Sequence, residues 1–360
     1  MFGNVAVLSL LVWSVVWIAG NAAADCERVE AGGANDSTMP LRISQISVGR
    51  DIPVGTEVYR QVFTPGGVAS IRCAPGTRDI NLKRNLEMVS GSIPGYPPGV
   101  NGNTYPTNLA GIGVRFLDVD NRAFPFTAKL PDCPGPQACV FRDPNLDKFT
   151  LSLVKVSAHV QAGPVVSASL PIVNIGYEIR GRQLPVRRVR LSGQLRVVSQ
   201  TCQAPNIQVS LGQHSVGTLE KTGYTPWQDF SIVLNQCPGF YGYYSAGANV
   251  LEPGVVFKTN KIAFRIDPTQ RAVSPDEGIL SLTAQGPRVE RAAQGIGVQL
   301  ALENTQPIRL STLLDSGISL QPKEGGSYVI ALKARYLRLP NSTVHSGPAN
   351  ATAIFTINYQ

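Results

Sequence analysis

The sequence is divided into short segments in which apolar residues alternate with polar ones, and its last ten residues show this pattern clearly. Every second residue from Ala353 to Tyr359 is apolar or aromatic, whereas Thr356 and Asn358 fall between them. Because successive side chains of a strand point to opposite faces, this alternation is typical of a half-buried β-strand. Such a strand either completes a sheet or offers its free edge to another chain.

Similar segments recur along the first half of the chain, where turn-forming residues separate them. The candidate strands there span residues 41–48, 57–63, 68–73, 112–118, 124–130, 149–156 and 165–175. The chain contains 35 Gly and 27 Pro residues and only 16% charged residues, and this half shows no pattern of a long helix. We therefore predict an all-β fold of two β-sandwich domains, since 360 residues suit two domains better than one.

The segment from Met1 to Ala24 contains no charged residue and is dominated by an apolar run that begins at Val5. It ends in three alanines directly before Asp25, which is typical of the cleavage site of a secretory signal peptide. No Lys or Arg precedes the apolar run, which departs from the usual pattern. We predict a cleaved signal peptide over residues 1–24 rather than an uncleaved membrane anchor, because small residues and an acidic residue follow the run immediately.

All six cysteines follow this segment, and an even number of cysteines in an exported protein predicts disulfides. A bond from Cys26 to Cys73 would tie the first strand to a neighbouring strand, and one from Cys133 to Cys139 would close a short loop. The chain has no Cys-x-x-Cys spacing and only three histidines, so we expect neither a metal site nor another cofactor.

The formal net charge is +8, and basic residues are densest between the two halves of the chain. They are Arg180, Arg182, Arg187, Arg188 and Arg190. We interpret residues 182–190 as a basic, proline-containing linker between a first domain at 25–181 and a second domain at 191–360. The competing interpretation is a nucleic-acid surface, but an exported protein rarely meets a nucleic acid.

Residues 90–106 are rich in Gly, Pro, Asn and Tyr, and long loops of this composition either carry function or serve as connectors. Ring faces, amides and a guanidinium group are suited to contacts with sugars or proteins. The candidate ligand-binding residues are therefore Tyr96, Asn101, Asn103, Tyr105 and Arg115. Arg115 lies between Val114 and Phe116 on a predicted strand, so its side chain points away from their face.

The segment Thr107-Asn108-Leu109-Ala110-Gly111-Ile112-Gly113-Val114-Arg115 carries a resemblance to a known family. It resembles the Thr-Asn-x-x-Gly-Ile-Gly-Val-Arg segment of receptor-binding domains in fimbrial tip adhesins of type 1-like and type 3 fimbriae. Its paired glycines allow two backbones to approach closely. The resemblance implies that the first domain is a sandwich that binds a host glycan or a matrix protein.

The order of motifs in the second domain resembles that of pilin domains from chaperone–usher fimbriae. It comprises a strand ending at Cys202, the segment Val209-Ser210-Leu211-Gly212, a strand ending at Cys237, and a C-terminal strand with an aromatic residue next to last. The resemblance implies a Cys202–Cys237 disulfide and an incomplete immunoglobulin-like pilin domain that is completed by donor-strand exchange. It also implies that the groove for the missing strand, which a chaperone fills first, is lined by Ala353, Phe355, Ile357 and Tyr359.

Together these motifs resemble a two-domain tip adhesin of chaperone–usher fimbriae. A subunit whose first domain replaces the usual N-terminal extension accepts a strand but donates none, so it is expected to cap the fibre. The implied partners are a periplasmic pilus chaperone, an outer-membrane usher, the N-terminal extension of the adjacent subunit and a host glycan or matrix-protein receptor, without nucleic acid. The implied location is the fimbrial tip on the bacterial surface, reached through the periplasm.

Two other functions compete with adhesion. A structural adaptor subunit without receptor binding would also carry a pilin domain, but it would need a donor extension. A secreted carbohydrate-active enzyme would need a pair of carboxylates, for which Asp118 and Asp120 are the candidates. The sequence lacks the Gly-x-Ser-x-Gly, His-Glu-x-x-His and phosphate-loop motifs, so we expect a binding protein rather than an enzyme.

Overall fold

The computed structural model describes residues 25–29, 35–65, 70–87, 103–142, 145, 148–246, 255–283 and 291–360, so the predicted signal peptide lies outside it. In these residues the chain is built almost entirely from β-strands, which confirms the all-β prediction. The α-helix found among them is short and spans Val216–Thr222 (α1). The side chain of Ser215 caps this helix by accepting a hydrogen bond from the backbone N–H of Thr218.

The strands of the first half of the chain form four sheets. They are Cys26–Arg28 (β1), Asn35–Pro40 (β2), Gln45–Ser47 (β3), Glu57–Phe63 (β4), Ser70–Cys73 (β5), Ile80–Glu87 (β6), Tyr105–Pro106 (β7), Ile112–Leu117 (β8), Phe126–Lys129 (β9), Cys139–Arg142 (β10), Phe149–Lys155 (β11), Gly163–Val166 (β12), Ile172–Ile179 (β13), Arg182–Ser192 (β14) and Gln194–Val198 (β15). The sheet orders are β2-β14-β13-β6-β9, β4-β11-β8-β7, β12-β15-β3 and β1-β5-β10. The strand predicted over 165–175 is divided by a 3₁₀ turn at Ser167–Ser169, which separates β12 from β13.

Side chains from the five-stranded and four-stranded sheets share one hydrophobic core. Val114 and Phe116 of β8 are fully buried in it, while Arg115 lies on the opposite face, as the alternation predicts. Phe63 and Phe149, which are paired on β4 and β11, stack with their ring centroids 5.1 Å apart. Burial of such aromatic and β-branched side chains stabilises the first domain.

The segment 182–190, predicted as a linker, is instead part of β14 in the five-stranded sheet. β14 pairs antiparallel with β13 and in parallel with β2. Val186 and Val189 belong to the first core. The guanidinium of Arg188 donates hydrogen bonds to the Glu87 carboxylate, with 2.6 Å between Nη2 and Oε1. The prediction was wrong because charges that suggested a solvated linker are paired within a sheet.

The boundary between the two cores also lies later in the chain than predicted. Leu195 and Val197 of β15 are still buried in the first core. The second core begins at Cys202. The change from one domain to the other therefore occurs at residues 199–201.

The second half of the chain forms a second core. Its strands are Gln228–Cys237 (β16), Tyr243–Ala246 (β17), Val255–Lys258 (β18), Ile262–Pro268 (β19), Ile279–Leu280 (β20), Ile296–Leu302 (β21), Leu314–Asp315 (β22), Gly326–Arg338 (β23) and Ala353–Tyr359 (β24). The sheet orders are β16-β23-β21-β20, β22-β19-β24 and β17-β18. Ile232 of β16, Phe264 of β19 and Leu300 of β21 lie in the core that the four-stranded and three-stranded sheets share.

The β17–β18 pair belongs to the second half of the sequence but packs on the first domain. Tyr243 and Tyr244 are half-buried against the first core. The ring of Tyr244 meets that of Tyr59 edge-on, with 6.3 Å between centroids. The backbone N–H of Ser47 also donates to the carbonyl oxygen of Gly242 (2.8 Å). The two domains are therefore joined by side-chain packing and by backbone hydrogen bonds.

The three disulfides pair the cysteines as expected. Cys26–Cys73 links β1 to β5, where the two residues are directly paired. Cys133–Cys139 closes the loop that precedes β10. Cys202–Cys237 links the start of the second domain to the end of β16. Each domain is thus cross-linked by its own disulfide bonds.

Candidate functional site

The second domain contains an open apolar groove between β24 and the segment 206–213. It has a volume of about 850 Å³. Its floor comes from both sheets and includes Ile232, Ile266 and Leu300. Core side chains of a folded domain normally face other protein atoms, so a groove that opens onto them is an incomplete part of the sandwich.

One wall of the groove is the segment 206–213, where the sequence predicted a strand at Val209–Gly212. The side chains of Ile207, Val209 and Leu211 are half-buried, whereas those of the residues between them are exposed. The expected alternation is therefore present. However, residues 204–213 are in no sheet, and they make no backbone–backbone hydrogen bond to the described part of the chain.

The other wall is β24, which pairs with β19 along one edge only. Ile357 and Tyr359 are buried in the second core, and Ala353 and Phe355 are half-buried against it. Of the four residues predicted to line the groove, Ala353 and Phe355 form part of this wall, while Ile357 and Tyr359 continue the same face of β24 into the second core. The hydroxyl of Tyr359 also accepts a hydrogen bond from the backbone N–H of Cys202 (3.1 Å).

The free edge of β24 presents backbone groups to the groove. The backbone N–H of Gln360 donates to the carbonyl oxygen of Lys261 (2.9 Å), and the N–H of Lys261 donates to the carbonyl oxygen of Gln360 (2.8 Å). Because the polar groups of successive residues in a strand point to opposite edges, those of Phe355, Ile357 and Tyr359 point away from β19. The groove therefore offers apolar pockets and, where it runs past Ala353 and Phe355, backbone donors and acceptors, which together suit an added strand.

In the first domain, the predicted ligand residue Arg115 lies in a polar cluster on the outer face of the four-stranded sheet. Ser152 of β11 is paired with Arg60 on one side and with Arg115 on the other, so the three residues form a row. The Glu57 carboxylate accepts hydrogen bonds from Ser152 Oγ and from Arg60 Nη1 (3.1 Å). Two guanidinium groups therefore share one carboxylate, which leaves the cluster positively charged.

The Nε of Arg115 is buried, and within the described residues it has no hydrogen-bond partner. Burial lowers the pKa of this guanidinium, and the neighbouring Arg60 lowers it further, while Glu57 opposes both effects. A half-buried guanidinium group is suited to a carboxylate or carbonyl group of a ligand through those of its N–H groups that remain accessible.

Of the other candidate ligand residues, Tyr105 does not lie beside Arg115. Tyr105 is paired directly with Val114, so it shares the inner face of β8 and packs against the first core, opposite Arg115. Asn103 is exposed and has a φ of 61°. Tyr96 and Asn101 lie outside the described residues. The polar partners Glu57, Arg60 and Ser152 were not predicted, because only the strand register places them beside Arg115.

The carboxylates proposed for an enzyme are not arranged as a pair. Asp118 is buried, and its carboxylate accepts hydrogen bonds from the backbone N–H groups of Asp120 and Arg122 and from the Arg122 guanidinium. Asp120 lies in the turn that follows β8 rather than on the strand. Asp118 is therefore committed to shaping a polar turn.

The described residues also bear on two other kinds of site. No group of three or more His, Cys, Asp or Glu side chains in them is arranged to hold a metal ion. None of their helices has the length and apolar character needed to cross a membrane.

Residues 189–360 match the family model described as Fimbrial protein. This part of the chain is therefore similar to fimbrial proteins. This match agrees with the resemblance of the second domain to fimbrial subunits, and we call residues 189–360 the fimbrial domain. The groove and β24 both lie within the fimbrial domain, whereas the Arg115 cluster lies outside it.

Solved structures that are similar to the chain include adhesins and a pilus rod subunit. The CupB6 tip adhesin from Pseudomonas aeruginosa matches at 17% identity and a TM-score of 0.35, over 92% of this chain and 94% of that one. The receptor binding domain of the plasmid-borne adhesin MrkD1P of Klebsiella pneumoniae matches at 19% identity and a TM-score of 0.31, over 49% of this chain and 98% of that one. The P pilus rod subunit PapA matches at 15% identity and a TM-score of 0.31, over 45% of this chain and 100% of that one. The comparison with curated proteins found no match. Identities and TM-scores this low establish no common function.

Proposed function

We propose that the chain is a tip adhesin of chaperone–usher fimbriae, in which the fimbrial domain accepts a donor strand and the first domain binds a receptor. The observation that carries this proposal is the groove, which has an unpaired wall at 206–213 and a free strand edge on β24. A strand laid between them would form backbone hydrogen bonds and would place alternate side chains over Ile232, Ile266 and Leu300.

The proposed occupant in the fibre is the N-terminal extension of the adjacent subunit. An exposed apolar groove is prone to aggregation, so a periplasmic chaperone would have to fill it before the subunit reaches the outer-membrane usher. The first domain takes the place before the fimbrial domain where other subunits carry their extension. This arrangement supports a position at the fibre tip on the bacterial surface and a role in adhesion without catalysis.

The proposed receptor site is the positively charged cluster of Arg60 and Arg115, and the receptor is a host glycan or a matrix protein. Its support is the half-buried guanidinium of Arg115 beside a carboxylate that is already bound by Arg60 and Ser152. Binding through guanidinium groups requires no metal ion.

Strand acceptance is tested by fusing an alternating apolar donor peptide after Gln360 through a flexible linker. We expect the fused chain to be a soluble monomer that unfolds cooperatively. Ile357→Asp should abolish this rescue, because it places an unpaired ion in the second core. Ile354→Asp is the matched control, since Ile354 is 60% exposed on the other face of β24. The proposal fails if the unfused chain, produced without a chaperone, is a stable monomer with both domains folded.

Receptor binding is tested with bacteria that carry fimbriae capped by the Arg115→Ala or Arg60→Ala variant. We expect adhesion to immobilised glycans or matrix proteins to fall at least about tenfold, as expected for the loss of one charge-assisted hydrogen bond. Arg78→Ala is the control, because Arg78 is an exposed arginine of the same domain. Equal adhesion of all the variants, or loss of adhesion on addition of a chelator, would favour another site. If the unmodified first domain binds no receptor, the chain acts as a structural subunit.

A further inference from the structure

The first domain covers one end of the free edge of β24. The backbone N–H of Asp51 donates to the carbonyl oxygen of Tyr359 (3.1 Å), and the backbone N–H of Tyr359 donates to the Asp51 carboxylate (2.9 Å). The Nη2 of Arg50 donates to the carbonyl oxygen of Ile357 (3.2 Å). Both backbone groups of Tyr359 are therefore in use, and of the two groups of Ile357 only the N–H is left for an incoming strand.

The covering residues are held tightly in this position. Gly49 lies so close to β24 that a Cβ atom on it would be 2.3 Å from the carbonyl oxygen of Tyr359. On the side of the first domain, the fully buried ammonium group of Lys155 donates to the carbonyl oxygens of Gly49 and Arg50. Asp51 and Arg50 also form an ion pair, with 3.4 Å between Oδ1 and Nε. Movement of these residues away from Tyr359 would leave the buried ammonium group of Lys155 without hydrogen-bond acceptors.

The rest of the edge is open. A second cavity, of about 520 Å³, lies along β24 from Ala353 to Tyr359 and is bounded by Arg50 at that end of the strand. The backbone groups of Ala353 and Phe355 point into the groove by the alternation described above. An added strand therefore meets a free edge at one end of β24 and an occupied edge at the other.

We propose that Arg50 and Asp51 form a stop that limits the length of edge available to a donor strand. A strand in the groove pairs with Ala353 and Phe355, reaches Ile357 only by displacing Arg50, and does not pair with Tyr359. The register of the donor strand is then set by the first domain as well as by the pockets of the fimbrial domain. This inference rests on the proposed strand acceptance.

The test uses the full chain, kept soluble by a bound pilus chaperone, and synthetic peptides of two lengths that compete with the chaperone for the groove. The short probe is a seven-residue peptide in which valine alternates with threonine, and the long probes carry two more residues of the same pattern at either its N-terminal or its C-terminal end. In the unmodified chain we expect all three peptides to bind with dissociation constants within about twofold of each other. In the double variant Arg50→Ala, Asp51→Ala, one of the long peptides should bind about tenfold more tightly than the short one, because loss of the two side chains opens the end of the edge and frees the backbone N–H of Tyr359.

The single variant Arg50→Ala frees only the carbonyl oxygen of Ile357. It should improve the binding of all three peptides by a similar factor, about threefold or more, and give the long peptides no added advantage. The control is Arg309→Ala, Asp276→Ala, which removes an exposed ion pair elsewhere in the fimbrial domain and should change nothing.

The proposed stop is wrong if a long peptide already binds the unmodified chain about tenfold more tightly than the short one. It is also wrong if Arg50→Ala leaves the affinity of the short peptide unchanged, and this result stands even if the double variant does not fold. If no peptide of either length binds any of the chains, strand acceptance itself fails, and the stop is rejected with it.

Discussion

The side chain of Asn260 in the second domain donates a hydrogen bond to the backbone carbonyl oxygen of Ser47 in the first domain, over 3.1 Å. The Oδ1 of Asn260 accepts at the same time from the backbone N–H of Gly242 (2.8 Å). The hydroxyl of Ser47 donates to the carbonyl oxygen of Gly239 (2.7 Å) and accepts from the N–H of Tyr241 (2.9 Å). Ser47 and Asn260 are both buried, so the domains share a satisfied polar network with little access to water.

We predict that Asn260→Ala uncouples the two domains. The change leaves the Ser47 carbonyl and the Gly242 N–H without this partner, and each unsatisfied buried group costs about 1–3 kcal/mol. Denaturant unfolding should show a single transition for the unmodified chain, stabilised by a donor peptide, and a broadened or divided one for the variant. Gln270→Ala, which removes an exposed amide, should behave like the unmodified chain. An unchanged single transition in Asn260→Ala would show that the network contributes little.

The fragment 25–198, rather than 25–181, should fold alone in an oxidising compartment. Residues 182–198 contribute β14 and β15, including the fully buried Val189, Leu195 and Val197. Their removal would expose the edges of β13 and β12 and open the first core. Thermal unfolding followed by circular dichroism should be cooperative for 25–198 and non-cooperative for 25–181. Equal cooperativity of the two fragments would support the domain boundary predicted from the sequence at residue 181.

Sequence patterns were sufficient to predict features that depend mainly on neighbouring residues in the chain. The strand predicted at 57–63 coincides with β4, and alternation in the last ten residues predicted β24 and its buried face. The cysteine pairs were also correct, because strand neighbours and loop length restrict them. For the two strands and for Cys133–Cys139, the residues within one short segment determine the outcome, whereas Cys26–Cys73 joins residues 47 positions apart.

Features that depend on distant partners could not be predicted. Arg188 appeared to be part of a solvated linker because its carboxylate partner, Glu87, lies 101 positions earlier in the chain. Tyr105 and Arg115 were grouped by sequence proximity, but the pairing of Tyr105 with Val114 places them on opposite faces of the sheet. The segment 209–212 has the alternation of a strand, yet it lacks a partner strand in the described residues.

We predict that Gly111→Ala destabilises the first domain much more than Gly181→Ala does. Both glycines have positive φ, at +89° and +80°, so both substitutions carry a conformational cost of about 1–2 kcal/mol. A Cβ on Gly111 would also lie 2.4 Å from the carbonyl oxygen of His159, whereas nothing lies within 4 Å of one on Gly181. The steric conflict should add about 1–3 kcal/mol, measurable by urea unfolding of the fragment 25–198. Equal losses would show that the backbone near His159 moves away easily.

The stability of the protein should fall at high pH because of Tyr59. Burial raises the pKa of this phenol from 10.0 to about 12 in the folded state. The folded chain therefore keeps a proton that the unfolded chain releases, so the stabilisation is complete below pH 10 and is lost as the pH rises towards about 12. The slope should be about −1.4 kcal/mol per pH unit in this window from this group alone. Tyr59→Phe should have a shallower slope by this amount, and identical slopes would contradict the prediction.

The path of the chain out of the first domain has a mechanical consequence. The polypeptide leaves along β15, which lies between β12 and β3 in its sheet, and enters the second core only a few residues later. Sheet hydrogen bonds run across the strands, so a pull on the second domain along β15 strains the bonds to both neighbours simultaneously, in shear. A strand peeled from a sheet edge would instead release its bonds one after another. The junction is therefore built to transmit tension to the first domain before its sheets separate.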